Sequence, residues 1–375
     1  MDKHLHIVAP DFPLPSDAGI LKDLVFMVRA LHANGVKIHL HCFGDGNGQG
    51  LAPYCTSVDF YGKKQGHEGY SLKVPYAVSS RSSDTLTSKL MMDKHPILFI
   101  GFQTIYPLLE NALLQERSVV VRVLRDEEKY FEDLAKMHDW GTQKLFCMAE
   151  AFRFRGLVKN IAKSNVQFAS AIDLECLIAK HGYPKVSSIA PFTGMPFMMQ
   201  PEGIGNYCFF YGNLAEAENE YAALWLLNNV FDSLELPFVI AGDNPSATLE
   251  KAAHLRMHTC LVANPGEKEL QDLIKKAQVN LLPSFISHAG NSNLHQALAL
   301  GRHVLTNPKG AWEEDIKLLC HIADHPADFI TTISTLFNKE IDPMEHEKRA
   351  SFFNGNYKND QGIRELIRML YSHCQ

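Results

Sequence analysis

Short apolar runs alternate with longer stretches in which apolar residues recur every three or four positions, and the alternation holds from end to end. Strands buried on both faces read as continuous apolar runs, and the helices that connect them read as amphipathic. The rhythm therefore predicts an α/β chain with largely parallel sheets. "HLHIVAP" predicts a first strand, "GILKDLVFMVRALHANG" a helix closed by Gly35, and "VKIHLHCF" a second strand. Leu21, Leu24, Val25, Val28 and Leu31 fall on one face of that helix. Further strands are expected at "PILFIG" and "SVVVRVL", then a helical stretch from about Glu127 through Lys180, broken near Gly141.

The segment "HGYPKVSSIAPFTGMPFMMQPEGIG" is rich in Pro and Gly and has no period, so it predicts a crossing between domains. The α/β rhythm then restarts. "NYCFFYG", "PFVIAG", "TCLVAN", "VNLLPS" and "RHVLTN" predict strands, separated by helices at "NEYAALWLLNNVF", "TLEKAAHL", "EKELQDLIKKA" and "NLHQALALG". Two nucleotide-fold-like halves result, with expected boundaries 1–190 and 191–355. A last amphipathic helix in 356–375, carrying Ile363, Leu366, Ile367 and Leu370 on one face, is expected to return to the first half.

A length of 375 residues fits two domains, and 46% hydrophobic against 21% charged residues is enough apolar material for two cores. A net charge of -6 lowers the rank of nucleic-acid binding, which normally shows a basic excess. No run approaches the length of a membrane span, and the start "MDKHLHIVAPDFPLP" lacks the pattern of a signal peptide. The eight cysteines form no C-x-x-C pair and read as reduced thiols of a cytoplasmic protein.

Ligands of doubly wound sheets bind beyond the carboxyl ends of the strands, where helix N-termini offer free N–H groups to phosphates. Four loops qualify. "PDFPLPSDAGILKDL" contributes Asp17 and Gly19; "FYGNLAEAEN" contributes Gly212, Asn213 and Asn219; "IAGDNPS" follows a later strand; and the opening of "GNSNLHQALALG" contributes Gly290, Asn291 and Ser292. A glycine after a strand is often only a turn, so it is their joint order that points to a small-molecule site between two domains.

These loops, with "VRVLRDEEKYFEDLAK" and "VIAGDNPSATL", resemble the GT-B glycosyltransferases of the retaining, family 4 kind, and more closely a Bacteroidetes mannosyltransferase-like branch. The resemblance covers most of the chain. It implies two Rossmann-like domains facing across a cleft, a nucleotide sugar in the second domain and a glycan or lipid-linked acceptor in the first. It further implies metal-independent transfer with retention of configuration, no cofactor, and a role in polysaccharide biosynthesis.

Departures from that family pattern are specific. Two glutamates seven residues apart normally contact the donor sugar and the ribose; their places fall on His288 and Gln296. An amide can still bond a ribose hydroxyl, whereas an imidazole cannot replace a carboxylate. Family cations near the diphosphate fall on Asn213 and Asn219. The pattern Arg-x-His-Asn-x-Glu keeps Arg122 and Glu127 but has Leu124 and Arg125 between them. Arg122, Glu127 and His288 are thus the expected catalytic residues, with Arg125, Arg302 and Lys309 as further cations for the leaving group. Loss of one preorganised donor costs about a hundredfold in rate. A non-catalytic glycosyltransferase-fold protein that binds a nucleotide sugar or a partner protein is the alternative.

Two further features stand outside this pattern. His4, His6, His39 and His41 share one face of neighbouring strands and are expected to be solvent-facing or core-edge residues rather than metal ligands. "FRFRGLVKNIAK" carries Arg153, Arg155, Lys159 and Lys163 among apolar residues. It is a solvated helix face by default and a peripheral contact with an anionic membrane as the alternative.

Overall fold

The computed structural model describes residues 2–12, 20–44, 50–171, 185–192, 197–198, 203–287, 292–356 and 359–372. The chain divides into two compact units, one built on Ile20–Gly194 with Met1–Pro13 and Lys358–Gln375, the other on Met195–Tyr357.

The first unit holds a seven-stranded sheet of β1 (Lys3–Ala9), β2 (Val36–Phe43), β3 (Ser57–Tyr61), β4 (Ile97–Ile100), β5 (Val119–Val123), β6 (Gln167–Ser170) and β7 (Val186–Ser188). Their spatial order is β3-β2-β1-β4-β5-β6-β7, and every pairing is parallel. Parallel strands need crossovers that cover both faces, so central strands such as "VVVRV" of β5 are wholly buried. The helix Ile20–Ala33 covers one face with Leu24, Met27, Val28 and Leu31. The last helix, Asn359–Tyr371, joins the same core through Ile363, Leu366, Met369 and Leu370. Tyr371 donates its hydroxyl to the His4 carbonyl at 2.8 Å, pinning that return.

The second unit repeats the plan with six strands in the order β10-β9-β8-β11-β12-β13. They are β8 (Cys208–Tyr211), β9 (Phe238–Gly242), β10 (Thr259–Ala263), β11 (Val279–Leu281), β12 (His303–Thr306) and β13 (His321–Ile322). All of these pairings are parallel as well.

Three expectations need correction. The helical stretch drawn from Glu127 to Lys180 has its expected break near Gly141, between the helices Glu127–Met137 and Thr142–Ile161, but gives way after Ile161 to β6. Strand β7 lies inside the segment expected to be a period-free crossing. The histidines of β1 and β2 are more interior than expected, for His6 and His41 are buried. His6 Nδ1 lies 2.9 Å from His41 Nε2, His6 Nε2 lies 3.0 Å from Asp93, and His41 Nδ1 lies 3.0 Å from the Tyr61 hydroxyl.

Candidate functional site

At the carboxyl end of the second sheet, β8 runs into Gly212 and Asn213. A Cβ on Gly212 would lie 2.9 Å from Asn219 Cγ, so the glycine lets the first turn of the helix Ala217–Asn229 sit against the strand end. Asn219 donates to the Asn213 carbonyl at 3.0 Å, and Asn213 Oδ1 accepts from the Ala215 amide at 3.1 Å. Gly242, ending β9, is required for a closer approach still: its Cβ would fall 1.8 Å from the Gly212 carbonyl oxygen.

A second helix start reaches the same strand end. Tyr211, the last residue of β8, donates its hydroxyl to the Asn293 carbonyl at 2.7 Å, and Asn293 Nδ2 returns a bond to the Tyr211 carbonyl at 3.4 Å. This fixes the opening of the helix Ser292–Leu300, which carries Ser292 in its first turn and the buried Gln296 one turn on. Two helix N-termini, each with a partial positive charge, therefore converge on the end of β8. The neighbouring ends of β11 and β12 are stitched by Asn307, which accepts from the Ser284 and Gly310 amides, both at 3.0 Å, and donates to the Ser284 carbonyl at 2.7 Å.

Of the expected donor-side residues, Gly212, Asn213, Asn219, Ser292 and Gln296 come together here. Gly290, Asn291 and His288 lie outside the described residues, as do Asp17 and Gly19. Lys309 bonds the Phe285 carbonyl at 3.0 Å in the adjoining loop. Arg302, expected as a further cation, precedes β12 and so sits at the amino end of the sheet, bonded to the Lys275 and Gly203 carbonyls.

The first unit places its two expected catalytic residues differently. Arg122 has no exposed surface. Its Nη2 and Nε lie 3.1 and 3.3 Å from the Asp23 carboxylate, and Nη1 and Nη2 donate to the Ile189 and Ala190 carbonyls at 2.6 and 2.8 Å. Every guanidinium nitrogen is engaged within the unit, so the expectation that Arg122 turns outward to a ligand is corrected. The buried charge of Arg122 is neutralised inside by Asp23.

Glu127 opens its helix behind the N-cap Asp126, at the carboxyl end of the first sheet. It accepts from Gln103 Nε2 at 2.5 Å and from Arg125 at 3.1 and 3.3 Å. Burial pushes its carboxyl up, while Arg125 and Gln103 pull it back toward the ionised form. Arg125 in turn lies over the Tyr130 ring, 3.5 Å from its centroid. Gln103 depends on Gly101, whose φ of 75° is in the left-handed region.

Sequence reasoning passed over Glu313, in the loop that leaves the carboxyl end of β12. Burial, and then repulsion from Asp315, pushes its carboxyl up to about 7. The signal was a carboxylate in a post-strand loop, "NPKGAWEED", which polar composition alone does not distinguish from an ordinary turn. Asn307 was missed for the same reason.

No family model matches the chain. A protein from Klebsiella pneumoniae described as an uncharacterized 44.6 kDa protein in cps region is 23% identical over 286 residues, covering 71% of this chain and 72% of that one. Among solved structures, Anabaena HepE in complex with UDP-glucose superposes with a TM-score of 0.69 at 9% identity, covering 98% of this chain and 99% of that chain. S. aureus TarM, solved with fondaparinux, alpha-GlcNAc-glycerol and UDP, has a TM-score of 0.67 at 8% identity and covers 98% and 99%. A Rickettsia africae glycosyltransferase has 0.66 at 9% identity and covers 99% of both chains. With two parallel Rossmann-like sheets in one chain, these neighbours define the fold as GT-B.

Proposed function

We propose that this protein is a glycosyltransferase that takes its sugar from a nucleotide-sugar donor held by the second unit and passes it to a glycan or lipid-linked acceptor held by the first. One arrangement carries the reading: two helix N-termini converge on the end of β8, one packed on Gly212 through Asn219 and the other tied to Tyr211 through Asn293. Such a convergence suits a diphosphate, whose oxygens can accept from the free N–H groups of helix N-termini. UDP-glucose in the HepE structure, and UDP in the TarM structure, support this donor class. The relative's position in a cps region supports polysaccharide synthesis.

Metal-independent, retaining transfer is the mechanism that the family 4 resemblance favours. Departure of the nucleoside diphosphate builds charge on its terminal phosphate, which the two helix starts are placed to meet. The acceptor hydroxyl attacks the anomeric carbon, and its proton passes to the leaving phosphate. Glu127, held by Gln103 and Arg125, is the carboxylate proposed to orient the acceptor. Gln296 and Ser292 are assigned to the donor's ribose and phosphate.

A cytoplasmic protein that meets a lipid-linked acceptor needs a membrane-facing surface. No described helix is long and apolar enough to cross a membrane. The helix Thr142–Ile161 instead exposes Leu145, Met148 and Phe152 along one stripe, preceded by the exposed Trp140 and continued by the exposed Lys159 and Lys163. Arg153 and Arg155 are committed to Glu150 and Glu128, so the two lysines form the cationic end of this face.

One observation favours the non-catalytic alternative: Arg122, expected to meet the leaving group, is sealed against Asp23. Calorimetry and thermal shift with UDP, GDP, ADP, dTDP and their common sugars separate the readings. Saturable binding of one diphosphate, lost in Gly212→Trp and weakened in Asn219→Ala, followed by sugar release or transfer from the matching donor, supports the enzyme. Binding with no turnover under any acceptor supports a nucleotide-sugar-binding protein, and no binding at millimolar ligand refutes the enzyme and leaves the partner-protein form of the alternative.

A further inference from the structure

At the amino end of the second sheet, away from the loops just described, side chains from three elements bring their ligand atoms close together. His303 opens β12, His321 opens the neighbouring β13, and Glu345 lies in the first turn of the helix Pro343–Asn356. One ligand atom from each falls within 4.8 Å of the other two. The His303 and His321 rings are 5.5 Å apart between centroids, and His321 Nε2 lies 3.4 Å from Glu345 Oε1.

The bonding state of His303 points to a ligand. The ring is 1% exposed, and its Nε2 lies 2.9 Å from the Lys339 carbonyl, an acceptor that requires Nε2 to carry the proton. Nδ1 is then a bare lone pair, and it is buried with no hydrogen-bond partner, as is Nε2 of His321. Leaving a buried acceptor unmatched is costly, and metal-binding histidines characteristically donate their second nitrogen to a carbonyl, which fixes the tautomer.

We propose that His303 Nδ1, His321 Nε2 and Glu345 Oε1 form a binding site for a divalent transition ion of the zinc type. Neighbouring ligand atoms of a tetrahedral zinc with bonds of about 2.0–2.2 Å lie roughly 3.3 Å apart, so small side-chain rotations close the set. The choice of ion follows from charge and donor type. Arg349, buried and anchored on the Gly301 and Arg302 carbonyls, reaches within 3.7 Å of Glu345 Oε1 and offsets the carboxylate. A calcium or magnesium ion would find one such oxygen where it needs six or more ligands, whereas two neutral imidazoles suit zinc. The ion would cross-link the short edge strand β13 to β12 and to the helix Pro343–Asn356. Its role is structural and independent of sugar transfer.

The test is titration of the chelator-treated, full-length protein with zinc alone, read by calorimetry and by thermal unfolding. Cobalt(II), as a spectroscopic probe, reports tetrahedral coordination. One equivalent of zinc is expected to bind and to raise the melting temperature. His321→Gln and Glu345→Gln are each expected to weaken binding by at least about tenfold, the lower limit seen even for losses one shell out. Neither residue is fully buried, so the two variants serve as independent checks that the fold survives. His95→Gln, which alters a ring stacked on His4 of β1 at 4.7 Å between centroids in the first unit, is expected to bind as the parent does. No binding at micromolar zinc, or stoichiometric binding untouched by both substitutions or removed by His95→Gln, overturns the assignment.

Discussion

Arg122 and Asp23 form an ion pair in which the side chains are 0% and 3% exposed, with Nη2 3.1 Å from Oδ1. Asp23 also accepts the Phe192 amide at 2.6 Å, so the pair ties β5, the helix Ile20–Ala33 and the segment after β7 into one bonded cluster. Arg122→Met strands a buried carboxylate and is expected to cost about 3–5 kcal/mol of stability. Urea unfolding measures the loss. Activity per folded molecule stays near the parent value, and a large fall in kcat without loss of stability would return Arg122 to the chemistry.

Asn219 supports the Gly212 turn through a single amide. Asn219→Ala removes the bond to Asn213 and is expected to weaken UDP binding about tenfold while lowering stability by roughly 1 kcal/mol, the net worth of one hydrogen bond. Gly242→Ala brings its Cβ against backbone and is expected to unfold the second unit outright. Calorimetry and circular dichroism distinguish the two outcomes.

Burial lowers the pKa of His41 to about 3, with the His6 charge adding to the effect, and burial lowers that of His6 as well. The unfolded chain therefore takes up protons first as pH falls. The contribution of these rings is complete above the ordinary histidine value of about 6.5 and is lost progressively as pH falls below it, for His41 toward pH 3, at up to about 1.4 kcal/mol per pH unit for one ring. Urea midpoints at pH 7.5 and 5.5 should differ accordingly, and His41→Gln should flatten the dependence. A midpoint constant over this window would contradict the buried pairing.

The exposed stripe of the helix Thr142–Ile161 makes a separable prediction. A lysine near an anionic surface contributes about 1 kcal/mol, so Lys159→Glu with Lys163→Glu is expected to weaken binding to phosphatidylserine-containing vesicles at least about thirtyfold. Trp140→Ser with Phe152→Ser should weaken binding to neutral and anionic vesicles alike. Cosedimentation reads both, and unchanged partitioning in the two double variants would remove the membrane from the model of function.

The sequence pattern read the interior strands well because most of their residues are apolar and buried: "VKIHLHCF" coincides with β2, and "SVVVRVL" contains β5. Strands β3, β6, β7 and β13 escaped it. β6 and β7 are four and three residues long, β13 is two, and "SVDFY" of β3 alternates at a sheet edge. At that length no period can be measured. Gly212 and Asn219 were legible because a glycine followed by a helix start is a local signal. The partners of Arg122 and the His303–His321–Glu345 group were not, because Asp23 and Glu345 are distant in sequence and only the folded sheets bring them near.

The return of the helix Asn359–Tyr371 to the first sheet sets an order on synthesis. Residues 195–357 leave the ribosome as one uninterrupted block and contain every strand of the second sheet. The first sheet is complete much earlier but lacks Ile363, Leu366, Met369 and Leu370, which share its core with Leu24 and Val28. The nascent first half therefore waits with an apolar flank uncovered while the second half is made. During that interval it is a natural client for chaperones that hold exposed hydrophobic surface.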